Sequence, residues 1–128
     1  MQVAKGKDAE NVRATGSLFM GEVNRGVAVE QGTERLRIGL VKFSPGGRTK
    51  WHTHDFEQGL IIVEGKGIVA TEEQEYVVEA GDVVVVKLGE KHWHGATEHT
   101  HMHHFSIGVP NGKTTELEPV DEIKTKNP

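Results

Sequence analysis

The chain has 128 residues and a formal net charge of −4, which predicts one domain long enough to bury a core. Its lysines and arginines form no long basic run, so neither nucleic acid nor an anionic membrane is expected as a partner. Cysteine is absent from the sequence, which excludes disulfides and thiolate ligands, and with no membrane-spanning segment we expect a cytoplasmic protein.

Sixteen glycines separate short β-branched runs, a pattern typical of an all-β domain. Residues 1–17 are polar and aperiodic and are interpreted as an N-terminal arm. The barrel is predicted over residues 18–110, and a polar C-terminal tail over residues 111–128. Within the barrel, residues 17–23 predict a short strand and residues 35–43 a clear one.

Further strands follow in the second half of the barrel. Residues 59–64 are apolar in both alternating sets, which predicts a strand buried on both faces. Gly65-Lys66-Gly67 predicts a turn into residues 68–71, and the chain returns over residues 76–79. The last two predicted strands are the four consecutive valines at 83–86 and residues 102–109. This series of short strands favours a sandwich or barrel. In the tail, residues 118–123 predict one helical turn against the body.

All eight histidines lie between His52 and His104, in a distribution that scattered surface residues would not show. Side chains two apart on a strand share a face, so His52 and His54 point together, as do His92 and His94. Two imidazoles at that spacing reach one cation. A single His-X-His is common on exposed strands, and the second cluster is what favours a metal site. His99, His101 and His103 are interpreted as surface residues.

The glycine framing of these clusters resembles the two motifs of the cupin superfamily. The first motif is carried by Gly46, His52, His54, Gln58 and Gly65, and the second by Gly81, Gly89 and His92. The family usually has glutamate where this chain has Gln58. The resemblance implies an all-β, double-stranded β-helix (jelly-roll) barrel that binds one divalent metal ion per chain. Its implied ligands are His52, His54, Gln58 and His92.

Residues 41–49, 51–54, 91–97 and 117–120, together with Gln58, carry a narrower resemblance that covers residues 19–120. They resemble small cupins associated with carboxymuconolactone decarboxylases, a group that includes manganese-dependent cupin hydroxynitrile lyases. In that group glutamine at the third ligand position is normal. The group usually has Pro-X-Gly where this chain has Asp55-Phe56-Glu57, and Glu57 is a rival ligand, although spacing and parity favour Gln58. The resemblance implies Mn2+, with Fe2+, Zn2+, Ni2+ and Cu2+ also open, and a homodimer that involves the N-terminal arm.

Three imidazoles and a neutral amide leave the cation its full charge, which predicts a strong Lewis acid with about two open coordination positions. The resembled lyases imply that His94 and His104 transfer protons; alternatively, His94 only orients a ligand. Residues expected to line the substrate pocket are Gly39, Val41, Leu60, Ser106 and Gly108.

Three functions remain compatible with the sequence. The first is a metal-dependent lyase of the hydroxynitrile-lyase type, acting on a small organic substrate with the metal as Lewis acid and a histidine as base. The second is a metal-dependent dioxygenase-type cupin, which uses the same ligands. The third is a non-enzymatic barrel that binds a small molecule or a metal without turnover.

Overall fold

A computed structural model describes residues 1–126, and nearly every regular element in them is a strand, which confirms the all-β prediction. A short 3-10 turn at Gly6–Asp8 precedes the strands. The strands are β1 Val12–Arg13, β2 Phe19–Met20, β3 Val23–Val29, β4 Arg37–Phe43, β5 Arg48–Thr49, β6 His52–His54, β7 Gln58–Thr71, β8 Glu75–Glu79, β9 Val83–Val86, β10 His92–Ala96, β11 Met102–Gly108 and β12 Thr114–Glu116.

Two antiparallel sheets share β7, the longest strand, and curl into a double-stranded β-helix. The first half of β7 pairs with β11 and β9, and the path continues through β4 and β3 to β1. The second half of β7 pairs with β8 and β10, and β10 leads to β5, β6 and β12. Because one strand belongs to both sheets, the histidines of β6, β10 and β11 converge between them.

The predicted turn at Gly65-Lys66-Gly67 is wrong, since β7 runs through these residues without a break. Gly65 has a φ of 77°, and a Cβ there would collide with the carbonyl oxygen of His101. The Lys66 N–H donates to that same carbonyl at 3.0 Å. Glycine therefore bends β7 from one sheet into the other at this point, as glycine does at barrel corners.

The predicted strand over residues 17–23 is interrupted. It divides into β2 and the start of β3, with Gly21 between them at a φ of 75°. The strands predicted over residues 35–43, 83–86 and 102–109 match β4, β9 and β11 within two residues at each end.

The main core lies between the two sheets and contains inward side chains from most strands: Val23, Phe43, Leu60, Ile62, Val69, Val78, Val86, Ala96 and Met102. The prediction that residues 59–64 are buried on both faces is wrong. Ile61 and Val63 are 37% and 43% exposed, whereas their neighbours Leu60 and Ile62 are buried. At this point β7 is therefore buried on its inner face only.

A second core lies on the outer face of the second sheet and is covered by the C-terminal tail. Val120 and Ile123 pack there against Ile68, Ala70 and Trp93. The predicted helical turn over residues 118–123 is wrong, because the segment crosses the sheet without helical structure. The guanidinium of Arg48 donates to the carbonyl of Val120 at 3.0 and 2.6 Å, which satisfies that carbonyl without a helical hydrogen bond.

The N-terminal arm is ordered on the barrel, where Val12 and Arg13 of β1 pair with Arg25 and Asn24 of β3. The boundaries at residues 17 and 110 stay predictions, and residues 127–128 of the tail lie outside the described residues. No helix within residues 1–126 has the length and apolar character that a membrane span requires.

Candidate metal centre

Three buried imidazoles meet where β6 and β10 run side by side. His52 of β6 lies directly opposite His92 of β10 in the antiparallel pair, and His54 shares the face of His52. Their ring centroids are 4.2 Å apart for His52 and His92, and 4.8 Å apart for His52 and His54. One nitrogen of each ring lies within 4.8 Å of the other two, so the three form a set that can hold a metal ion.

Hydrogen bonds to the outer nitrogens orient these rings. Nδ1 of His52 donates to the carbonyl of Lys50 at 2.8 Å, and Nδ1 of His92 donates to the carbonyl of Glu90 at 2.8 Å. Since a carbonyl can only accept, both Nδ1 atoms carry hydrogen and both Nε2 atoms present lone pairs. The third ring is held by the Thr114 hydroxyl, 3.0 Å from Nδ1 of His54.

Gln58 adds an amide oxygen to this set. Its Nε2 donates to the hydroxyl of Ser106 at 2.8 Å, so its Oε1 turns toward the imidazoles and lies 3.1 Å from Nε2 of His54. Glu57, the rival ligand, is exposed, whereas Gln58 is buried at the start of β7. Alternation along the chain therefore brings the amide and not the neighbouring carboxylate to the imidazoles.

The donor set fits a divalent cation. Nε2 of His92 is buried and has no hydrogen-bond partner among the described residues, which is costly unless a cation or water satisfies it. Burial lowers the pKa of His52 to about 3 and the pKa of His54 to about 4, and repulsion from His92 is the second cause of both shifts. Burial likewise lowers the pKa of His92. Near neutral pH the three rings are therefore uncharged, the form that binds metal.

His94 and His104 form a second buried pair behind these imidazoles. Nε2 of His104 lies 3.0 Å from Nδ1 of His94, so the two rings share one hydrogen. Burial lowers the pKa of His104 to about 4, and burial together with the charge of His104 lowers the pKa of His94 well below its usual value. Nδ1 of His104 has no partner within residues 1–126. The rings of His94 and His52 are 5.6 Å apart, which places the pair beside the metal ligands.

A cavity of about 380 Å³ opens onto both groups of histidines. Of the predicted residues, it is lined by His52, His54, Gln58, His94, His104, Gly39, Val41, Ser106 and Gly108. Leu60 is not in the lining, because its side chain packs in the core between the sheets. His92 is not in the lining of this cavity and is buried.

Phe56 is a cavity residue that the sequence reasoning did not identify. Its ring stacks on His54 at 4.7 Å and lies over Gly108 and Gly112, where a Cβ would come within 2.9 and 2.5 Å of the ring. The signal for it was the departure from Pro-X-Gly at residues 55–57. The same cavity reaches Arg25 and the Arg37–Glu30 ion pair, whose nearest atoms are 3.3 Å apart.

Two threonines that the sequence reasoning also missed support the site. Thr49 is fully buried, and its hydroxyl accepts the backbone N–H of His94 at 3.2 Å. Thr114 lies on β12, which pairs with β6 so that Thr114 faces His54. Their partners come from distant parts of the chain, so no local pattern signalled these roles.

The cupin domain profile matches residues 39–108, more than half of the chain. The matched span contains the three imidazoles, Gln58 and the His94–His104 pair. The chain therefore belongs to the cupin family.

Curated and solved relatives agree with this assignment. An (R)-mandelonitrile lyase from Granulicella tundricola is 47% identical over 72 residues, which cover 52% of this chain and 52% of that protein. The chain thus spans about half the length of the curated relative that it matches. A cupin-like protein from Thermotoga maritima has a TM-score of 0.80 and 30% identity, over 88% of this chain and 90% of that one. The polyketide cyclase RemF from Streptomyces resistomycificus, at 15% identity and a TM-score of 0.74 over 97% of this chain and 88% of that one, shows the fold alone.

Proposed function

We propose that this chain is a metal-dependent lyase that cleaves the carbon–carbon bond of a small cyanohydrin. The observation that carries the proposal is the cavity onto which His52, His54 and Gln58 of the three-histidine, one-glutamine donor set open, beside a second pair of buried neutral imidazoles. The 47% identity to an (R)-mandelonitrile lyase supports the choice of reaction and favours the (R)-enantiomer.

A divalent cation, with Mn2+ favoured, would be held by His52, His54, Gln58 and His92 and would supply Lewis acidity toward a substrate oxygen. The residues themselves fix the donor atoms, since the Lys50 and Glu90 carbonyls and the Ser106 hydroxyl orient three of the four ligands. With Phe56 over Gly108 and Gly112, the cavity wall is apolar at that point and suits the organic part of a small substrate.

The His94–His104 pair accounts for the proton movements. A neutral imidazole of the pair accepts the hydroxyl proton of the cyanohydrin, the bond from the carbinol carbon to the nitrile carbon breaks, and its electron pair leaves with cyanide. The carbonyl C=O forms at the same carbon, and the imidazolium returns the proton to cyanide as hydrogen cyanide. Lowered pKa values keep both rings in the neutral, proton-accepting form before substrate binds.

The test is cleavage of (R)-mandelonitrile by the Mn2+-loaded protein, followed as benzaldehyde release. We expect His104→Ala to reduce kcat at least about a hundred-fold, the usual contribution of a general base, while metal content is unchanged. His99→Asn, which alters an exposed histidine, is the matched control and retains full activity. Full-rate cleavage by the His104→Ala protein would refute the assigned role.

The other two functions predict different outcomes of the same assay. A dioxygenase-type cupin would leave mandelonitrile intact and consume oxygen with an enol or alkene when loaded with Fe2+. A non-enzymatic barrel would bind the ligand without product release, and His94→Ala would leave its affinity largely unchanged.

A further inference from the structure

A second group of metal-binding side chains lies on the outer face of the first sheet, away from the cavity. Glu64 of β7 lies beside His101 and His103. His101 immediately precedes β11, and His103 is the second residue of that strand. Oε2 of Glu64 accepts a hydrogen bond from Nε2 of His101 at 2.9 Å, and the same oxygen lies 3.2 Å from Nδ1 of His103. The proposed lyase uses none of these three residues.

An irregularity in the β7–β11 pairing brings the carboxylate to this face. Ile62 points into the core, and in a regular strand Glu64 would share its face. The register shifts between His103 and His104, so that His103 pairs with Glu64 and His104 pairs with Ile62. One extra residue of β7 is thereby accommodated, and Glu64 turns outward beside His103. Such bulges re-aim side chains and are common next to functional sites.

Gly65 allows His101, the third residue of the group, to lie close to β7. A Cβ at position 65 would collide with the His101 carbonyl, so glycine is what allows the segment before β11 to approach β7 this closely. The ring of His101 then lies 5.1 Å from the ring of His103. The three donor atoms are thus positioned by strand register and backbone contact, and all lie within 4.8 Å of one another.

We propose that Glu64, His101 and His103 form a second cation site, for a divalent ion of the Zn2+ class. Two ligand atoms at roughly 2.0–2.1 Å from a tetrahedral ion stand about 3.3 Å apart. The distances from Oε2 to the two imidazole nitrogens, 2.9 and 3.2 Å, are close to that value. The ion takes the place of the hydrogen that His101 shares with the carboxylate, His103 supplies its Nδ1 lone pair, and water completes the coordination.

The surroundings predict a weaker site than the buried centre. Glu64 and His101 are exposed, and Lys42 of β4 lies opposite His103 on its other side. A nearby ammonium repels a cation, and water competes for exposed ligands. The buried imidazoles therefore fill first, and the outer site fills with the next equivalent of ion.

Zinc titration of the full chain tests this, with binding measured by equilibrium dialysis and by long-range 1H–15N spectra of the imidazoles. We expect two Zn2+ per chain, the second of which shifts Nε2 of His101 and Nδ1 of His103. Glu64→Gln and His103→Asn should each weaken the second ion at least about ten-fold and leave the first unchanged. His99→Asn, an exposed histidine outside the group, is the matched control and should retain both affinities.

Two results would overturn the second site. One is a chain that binds a single Zn2+ with no response from His101 or His103. The other is a second ion whose affinity is the same in the wild type and in both substituted proteins. Because neither readout uses cyanohydrin cleavage, the outcome is independent of the proposed lyase activity.

Discussion

In the proposed metal centre, Gln58 would set the charge of the ligand set. Its amide nitrogen is engaged by Ser106, so only its neutral carbonyl oxygen faces the imidazoles. Three neutral imidazoles and this oxygen add no negative charge, so a bound divalent cation keeps its full charge toward substrate. A carboxylate at the same position would bind the cation more tightly and polarise a substrate oxygen less.

Gln58→Glu separates these two effects. We expect tighter Mn2+ binding, because a carboxylate attracts the cation, and cyanohydrin cleavage that is slower by about ten-fold, or about 1.4 kcal/mol in the activation free energy. Calorimetric Mn2+ titration and initial rates measure the two quantities. Glu57→Gln, at the exposed neighbouring position, is the control and should change neither. A Gln58→Glu protein with undiminished cleavage would show that charge neutrality is not what the amide supplies.

The buried imidazoles also make the metal-free protein sensitive to acid. Burial lowers the pKa of His52 from 6.5 to about 3, and the pKa values of His54 and His104 from 6.5 to about 4. Below pH 6.5 the unfolded chain takes up protons that the folded protein does not bind. Stability that is present above pH 6.5 is therefore lost as pH falls toward about 4.

Urea denaturation of the metal-free protein measures this loss. The free energy of unfolding should be level above pH 6.5 and should decrease below it, by up to about 1.4 kcal/mol per pH unit for each such histidine. A free energy of unfolding that stays constant from pH 6.5 down to about pH 5 would contradict the buried, neutral state of these rings.

At the level of the strands, alternation along the chain was enough to predict that the three histidines lie together. His52 and His54 on β6 and His92 on β10 need only a two-residue period and one antiparallel pair to converge. The sequence did not predict that β7 is continuous, because Gly65 and Gly67 have the pattern of a turn. In the structure, Gly65 instead allows His101, the residue before β11, to approach β7 closely. Whether a side chain on the outer face of a sheet is buried depends on which distant segment of the chain packs over it. The local sequence therefore does not predict it.

The C-terminal tail is an example of burial that depends on distant parts of the chain. Its sequence is mostly polar, yet Val120 and Ile123 cover the outer side of Trp93, whose neighbours in β10 are His92 and His94. The tail is also held by hydrogen bonds from Lys124 and Thr125 to Glu75. No local pattern distinguishes these two apolar side chains from exposed ones, since their partners are about thirty residues or more away.

Ile123→Ala tests whether the tail stabilises the barrel. We expect the free energy of unfolding to fall by about 2–4 kcal/mol, because the substitution removes buried methyl groups and leaves a cavity beside the second sheet. Thermal or urea denaturation of the metal-loaded protein measures it. Leu117→Ala, at a position 37% exposed, is the matched control and should cost much less. Equal losses in the two proteins would mean that the contact with the second sheet contributes nothing specific.

In the whole molecule, the candidate metal centre lies inside the double-stranded β-helix, and the two sheets differ in what lies on their outer faces. The tail covers the outer face of the second sheet, and the Glu64, His101 and His103 group lies on that of the first. Exposed Val83 and Val85 of β9 lie on the first sheet as well. Assembly as a homodimer stays a prediction, which the molecular mass in solution would test.

The proposed lyase requires that His52, His54, Gln58 and His92 hold the one cation on which cyanohydrin cleavage depends. The most direct measurement is the rate of (R)-mandelonitrile cleavage as Mn2+ is added stepwise to metal-stripped protein. We expect negligible cleavage without metal, and a rate that rises in proportion to added Mn2+ and levels off at one ion per chain. A His52→Ala, His92→Ala double variant should stay inactive throughout. Cleavage at full rate by the metal-stripped protein, or by the double variant, would show that the reaction does not depend on a cation held by these ligands.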